Sequence, residues 1–208
     1  MYSCNKGKLR SLSRRKDYYY FRARKEGYRS RAAYKLKEIA TRFDIFRGVN
    51  AVLDLCCSPG GWLQVAKEYL GDKGVVIGVD LSEIERMNGV IFIKGDIQDE
   101  KIVHEILRVT NKVDLVLSDC SPKVSGIWSL DHERQLQLAR ASLSIAKMLL
   151  REGGSLVLKV FQGAGYESLL DEVRLSFKKV YTTKPSASRK QSAEMYVVAK
   201  YFKGKEKP

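Results

Sequence analysis

The feature that most restricts the fold is an alternation, between residues 51 and 202, of short uninterrupted apolar runs with longer amphipathic ones. AVLDLCC (51–57), GVVIGVD (74–80), VIFIKGD (90–96), VDLVLSD (113–119) and SLVLKVF (155–161) read as strands. WLQVAKEYL (62–70), KIVHEILRVT (101–110), HERQLQLARASLSIAKMLL (132–150) and YESLLDEVRLSF (166–177) read as helices. Such alternation builds βαβ units. Runs that are apolar at nearly every position, rather than every second one, mark strands covered on both faces. KKVYTT (178–183) and AEMYVVAKYF (193–202) add two more strands. The stretch between them, Lys184 to Ser192, is too short and polar for a crossover helix, so the last strand should run antiparallel. The expected fold is therefore α/β, a doubly wound sheet of seven strands whose last strand is antiparallel. A helix should precede it, with Ser30 as N-cap, an apolar stripe of Leu36, Ile39, Ala40 and Phe43, and Gly48 just past its end.

At 208 residues and 44% hydrophobic, the chain can bury one sizeable core. The plan is a basic, aromatic segment over residues 1–29, one domain over 30–203 and a charged tail over 204–208. The net charge of +14 is concentrated at the front, where residues 1–37 hold thirteen Lys and Arg against Asp17 and Glu26. Tyr18, Tyr19, Tyr20, Phe21, Tyr28 and Tyr34 interleave with those cations. A basic, aromatic segment suits a polyanion whose bases can stack, so RNA is the expected partner. The alternative is a solvated basic tail with aromatics docked on the domain. No run approaches the roughly 18 consecutive apolar residues of a membrane span, and the N-terminus lacks an apolar signal core. A cytoplasmic protein without membrane contact is expected. Cys4, Cys56, Cys57 and Cys120 include no C-x-x-C pattern, so they read as small buried thiols in a reducing compartment, with neither a disulfide framework nor a zinc site.

In an open α/β sheet, ligands bind beyond the carboxyl ends of the strands, near the point where strand order reverses. The first strand runs into Asp54-Leu-Cys-Cys-Ser-Pro-Gly-Gly-Trp62, a glycine turn that lets backbone approach a ligand closely, although an ordinary tight turn has the same composition. The second strand ends at Asp80, placed to bind ribose hydroxyls of a nucleoside, the third at Asp96 and the fourth at Asp119, while the fifth carries Lys159. The turn lacks G-x-G-x-x-G, which disfavours a dinucleotide oxidoreductase but not an adenosine-containing ligand.

Five motifs, YRSRAAYKLKEI, DLCCSPGGW, LSDCSP, GGSLVLKVFQG and SAEMYVVA, occur in order from about Asp17 to Phe202. Together they resemble the FtsJ/RrmJ ribose methyltransferases. The resemblance implies the methyltransferase (Rossmann-like) variant of the doubly wound sheet. It also implies S-adenosylmethionine as methyl donor, without a metal. It further implies a Lys-Asp-Lys-Glu catalytic set, which falls on Lys35, Asp119, Lys159 and Glu194. Cofactor contacts fall on Gly60, Trp62, Asp80, Asp96 and Asp119. The Cys56-Cys57-Ser58 stretch departs from the small apolar residues common in relatives. The implied substrate is a ribose 2′-hydroxyl, a uridine in large-subunit (23S-type) ribosomal RNA, methylated by a monomer. The alternatives are a transfer-RNA anticodon-loop methyltransferase and a non-catalytic ribosome-assembly factor.

Methyl transfer from a sulfonium needs the 2′-oxygen held in line with the leaving sulfur, and a route for its proton. Lys159 in neutral form could accept that proton, with Asp119 orienting its amine and Lys35 and Glu194 completing the network; Lys159 could instead only position the hydroxyl. Burial and Lys35 would depress its pKa while Asp119 and Glu194 would raise it. A lysine inside LVLKVF is otherwise an unpaired charge in a buried strand, so a strand end at a cleft explains it best. Lys35 differs: by spacing alone it joins Arg31, Glu38 and Arg42 on a solvated helix face. Asp119 could cap the loop containing Pro122, Glu194 could be an exposed strand residue and Trp62 ordinary core. His104 and His132 have no partners at metal spacing and receive no role.

Overall fold

The structure, a computed structural model, describes residues 18–204; residues 1–17 of the basic head and 205–208 of the tail lie outside the described residues. The apolar runs become β1 (Ala51–Leu55), β2 (Val75–Asp80), β3 (Val90–Lys94), β4 (Val113–Ser118), β5 (Leu150–Phe161), β6 (Phe177–Thr183) and β7 (Glu194–Phe202). They form one sheet in the order β3-β2-β1-β4-β5-β7-β6. The first five strands pair in parallel. β7 inserts antiparallel between β5 and β6, so the last strand runs as the short polar connection requires. Chain order reverses between β1 and β4, which places the crevice beyond their carboxyl ends.

The helices are α1, described over residues 18–25, then α2 (Ala33–Phe43), α3 (Gly61–Leu70), α4 (Lys101–Leu107), α5 (Trp128–Leu149) and α6 (Tyr166–Ser176). Strand side chains alternate between faces, and the core divides accordingly. Leu53, Leu55, Val116, Leu156 and Leu158 pack with α4, α5 and α6, whereas Val52, Leu115, Leu117, Val157, Tyr196 and Val198 pack with α2 and α3. Every residue of β1 and β4 is buried. Each such Leu or Val contributes about 1.5–3 kcal/mol by leaving water. β3 is the exception among the apolar runs. It is the sheet edge, and Ile91 is 43% exposed.

Three local expectations change. Ser30 does not cap α2, which begins with Ala32 as N-cap and no side-chain cap; the Ser30 hydroxyl sits instead where a Cβ on Gly61 would be. α2 ends at Phe43, with Asp44 in the left-handed conformation as C-cap, so Gly48 belongs to the following turn. Cys56 and Cys120, expected as thiols, form a disulfide with Cα atoms 5.1 Å apart across 64 residues of sequence. The cause is strand order: Leu55 pairs with Ser118, so the two cysteines emerge side by side from neighbouring strands. Cys57 is a free buried thiol, and burial pushes its pKa up. Among the described residues, no helix is long and apolar enough to cross a membrane.

Part of the basic head folds onto the domain. Ala23 of α1 is buried against Tyr34 and Ala187, while Tyr18, Tyr20 and Phe21 are about half exposed or more.

Candidate active site

Lys159 lies near the carboxyl end of β5, opposite Tyr196 in the antiparallel register, and Phe161 lies opposite Glu194. Alternation sends Lys159, Tyr196 and Glu194 to the face covered by α2, the helix that carries Lys35. The polar face of α2 is desolvated at Lys35, whereas Arg42 on the same face is exposed. Lys35 is 9% exposed and Lys159 5%, as β7 brings Glu194 and Tyr196 against the helix.

The result is a continuous chain of contacts. Lys35 Nζ donates to Glu194 Oε2 at 3.0 Å and to the Tyr196 hydroxyl at 3.0 Å. That hydroxyl donates to Asp119 Oδ1 at 2.6 Å. Lys159 Nζ donates to the Asp119 carbonyl oxygen at 2.7 Å and lies 3.2 Å from Asp119 Oδ1. Two cations thus face two carboxylates, which offsets the cost of holding four charged groups away from water. Burial alone would push the Asp119 carboxyl up, but Lys159, Lys35 and the Tyr196 hydroxyl together hold it below the usual carboxylate range. Burial and the nearby Asp119 and Glu194 push the Tyr196 phenol well up, so it stays protonated and donates.

β5 is braced from the opposite face. β4 ends where Ser118 pairs with Leu158, leaving Lys159 O and Phe161 N on that edge of β5 without a strand partner. The Gln135 amide of α5 replaces one: Nε2 donates to Lys159 O at 2.8 Å and Oε1 accepts from Phe161 N at 2.9 Å. Gln135 is fully buried.

Beside this network an open cleft of about 220 Å³, the solvent space at its mouth included, is lined by Ser30, Ala32, Asp54, Cys56, Cys57, Ser58, Gly61, Trp62 and Asp119. Asp54 is 1% exposed, and its Oδ2 makes no hydrogen bond among the described residues. Burial, with Asp119 and Asp80 nearby, pushes its carboxyl well above the usual range. An orphaned acidic oxygen in a cleft wall suits a cationic ligand.

The sequence-derived cofactor positions divide. Trp62 and Asp119 line the cleft, although the Trp62 indole is buried core and its Nε1 donates to Ala32 O at 2.8 Å. Gly60, at φ 109°, forms the turn, donating to Cys57 O at 2.7 Å. Asp80 holds that turn by accepting from Ser58 N at 2.9 Å. Asp96 accepts from Gln98 N and is not in the cleft lining. Asp54, Tyr196 and Gln135 were missed. Asp54 carries the signal that marked Lys159, a charge inside an apolar strand, whereas nothing local marks the other two. Among the described residues, no group of three or more His, Cys, Asp or Glu is arranged to hold a metal.

Residues 28–202 match the family described as FtsJ-like methyltransferase. A ribosomal RNA large subunit methyltransferase E of Methanothrix thermoacetophila is 50% identical over 186 residues, covering 89% of this chain and 72% of the relative. The enzyme of the same name from Archaeoglobus fulgidus is 46% identical over 189 residues, covering 91% and 97%. A solved ribosomal RNA methyltransferase from Plasmodium falciparum superposes with a TM-score of 0.77 at 29% identity, covering 86% of this chain and all of that one.

Proposed function

Since the chain belongs to the FtsJ-like methyltransferase family, we propose that it methylates a ribose 2′-hydroxyl, that of a uridine, in large-subunit ribosomal RNA, acting as a cytoplasmic monomer with S-adenosylmethionine as donor. The observation that carries this reading is the buried network in which Lys159 and Asp119 meet Lys35, Glu194 and Tyr196. Relatives named for ribosomal RNA methylation support the substrate class.

The cleft fits the donor, which carries an ammonium and a sulfonium, because Asp54 offers an unpaired buried oxygen there. Asp54, the turn at Gly60 and Gly61, and Asp80 would hold it. Bound there, the donor supplies an electrophilic methyl group.

The chain's own residues then have distinct tasks. Lys159 has two contacts on the carbonyl and carboxylate oxygens of Asp119, and as an ammonium it keeps a third N–H with which to hold the 2′-oxygen in line. Asp119 fixes the direction of that amine, and Tyr196 fixes Asp119. Lys35 and Glu194 close the network behind them. As the 2′-oxygen gains its methyl group its hydroxyl becomes strongly acidic and passes its proton to solvent water, so Lys159 acts by orientation and not as the base. The basic, aromatic head, residues 1–29, holds the RNA backbone and bases.

The test is transfer of labelled methyl groups to large-subunit ribosomal RNA, followed by nuclease digestion and mass spectrometry. The expected product is 2′-O-methyluridine, with loss of transfer in Lys159→Ala and in Asp119→Ala. Methyl on a base, acceptance by transfer RNA alone, or full activity in either variant would refute the reading.

A further inference from the structure

At the outer end of the catalytic strand lies a group of aromatic rings that the methyl-transfer network does not use. Trp128 opens α5 and is 56% exposed. Its ring is near parallel to Phe161, with centroids 6.0 Å apart at 15°, and to His132, at 5.5 Å and 24°. The rings beneath it are fixed. Phe161 is held by Gln135 through its backbone N–H. His132 is 5% exposed and its Nε2 bonds the carbonyl of Ala164 at 2.7 Å. Gly163 keeps the space for that imidazole, since a Cβ there would lie 2.7 Å from it.

The segment that presents Trp128 is equally constrained. Asp131 accepts from Ser125 N at 2.8 Å, Ser125 Oγ at 2.7 Å and Gly126 N at 3.2 Å, and so fixes the loop to the first turn of α5. A large ring held flat and open to solvent on a fixed support costs little entropy to use in binding.

Its position indicates what would bind. Phe161 is two residues beyond Lys159 on the same face of β5, about 7 Å along the strand, within the reach of one nucleotide. Phe161 also pairs with Glu194, so the shelf and the catalytic network are continuous. The connection from β6 to β7, which leads into Glu194, exposes Lys184, Arg189 and Lys190, and Lys123 is exposed on the loop before Trp128. A flat ring beside a ribose-modifying centre, with exposed cations on the loops that lead into Trp128 and Glu194, matches the way proteins hold unpaired bases, by stacking on an aromatic face while cations take the phosphates.

Resting on the RNA reading above, we propose that Trp128, backed by Phe161 and His132, is a stacking shelf for an unpaired base adjoining the ribose that is methylated. The shelf positions RNA and does not take part in methyl transfer.

The test compares wild type, Trp128→Ala and Trp128→Phe in steady-state methylation of large subunits, and in fluorescence titration with a single-stranded oligoribonucleotide. Trp62 is buried, so the difference between wild type and Trp128→Phe isolates the signal of Trp128. The expected results are quenching of that signal by RNA and a KM for RNA about five- to a hundredfold higher in Trp128→Ala, the range for losing one base–aromatic stack. kcat and calorimetric affinity for S-adenosylmethionine should hold, and Trp128→Phe should recover most of the loss. An unchanged KM, or a loss confined to kcat, overturns the proposal. So does a KM effect on assembled subunits without any change in affinity for protein-free ribosomal RNA, which would assign the shelf to a ribosomal protein. If wild type methylates no ribose, the reading of function fails instead, and quenching by the oligonucleotide still decides whether the shelf stacks bases.

Discussion

The phenol of Tyr196 donates to Asp119 Oδ1 at 2.6 Å across 77 residues of sequence, while Lys35 donates to the same phenol at 3.0 Å. One hydroxyl therefore joins the two halves of the network: Lys159 with Asp119, and Lys35 with Glu194. Removing it should loosen the carboxylate that directs Lys159. Tyr196→Phe is expected to fold, to bind S-adenosylmethionine normally by calorimetry, and to lose about tenfold in kcat, the effect of one hydrogen bond to a charged group.

The Lys35–Glu194 pair should separate stability from catalysis. Each side chain keeps 11% of its exposure, so deleting one partner strands a largely desolvated charge. Lys35→Met and Glu194→Met should each cost about 3 kcal/mol in urea unfolding, the low end for a broken buried pair. The double variant should recover much of that loss, because no charge remains unpaired, yet should still transfer methyl groups poorly.

Asp54 and Asp119 should give stability opposite pH slopes. Asp119 has a folded pKa below its unfolded value, so its contribution is present above about pH 4 and fades as pH falls through the lower folded value. Asp54 has a folded pKa well above its unfolded one, so its contribution is full below about pH 4 and is lost as pH rises toward the folded value. Asp54→Asn removes that loss. Relative to wild type, the variant should gain stability from pH 5 to pH 8 in denaturant titrations, by about 1.4 kcal/mol for each unit of the pKa shift that the range spans.

Gln135 should matter through the strand rather than the substrate. In Gln135→Leu the Lys159 carbonyl and the Phe161 N–H lose their partners, at a cost of about 2–3 kcal/mol in thermal unfolding. Faster hydrogen exchange at the Phe161 amide would localise the effect, and an unchanged amide would refute it.

Gly78 in β2 lies under the glycine turn, where an added Cβ would come 2.8 Å from Cys57 Sγ and 3.0 Å from Leu63. Gly78→Ala should cost about 1–3 kcal/mol by overpacking. It should also weaken S-adenosylmethionine binding, read by calorimetry, because the backbone that yields is that of the turn.

The order of strands and helices was legible in the chain, because burial on both faces leaves continuous apolar runs and burial on one face leaves a 3.6-residue period. Lys159 was legible for the same reason: a charge in such a run needs a partner. Lys35 was readable as part of the set only by family resemblance, since its spacing places it among solvated residues. Tyr196 and Gln135 carried no local mark at all.

By itself, then, the sequence determined the α/β class, the antiparallel return of the last strand and the glycine turn after β1. Only the tertiary structure decided that β7 covers the middle of α2 and desolvates Lys35, that Asp119 meets Tyr196, and that Cys56 bonds Cys120. It also decided that Trp128 rests on Phe161. Periodicity records which side of an element is buried, not which distant element buries it. Those pairings follow from the neighbours each strand acquires in the sheet, over separations of 64 residues for the cysteines and 159 for Lys35 and Glu194.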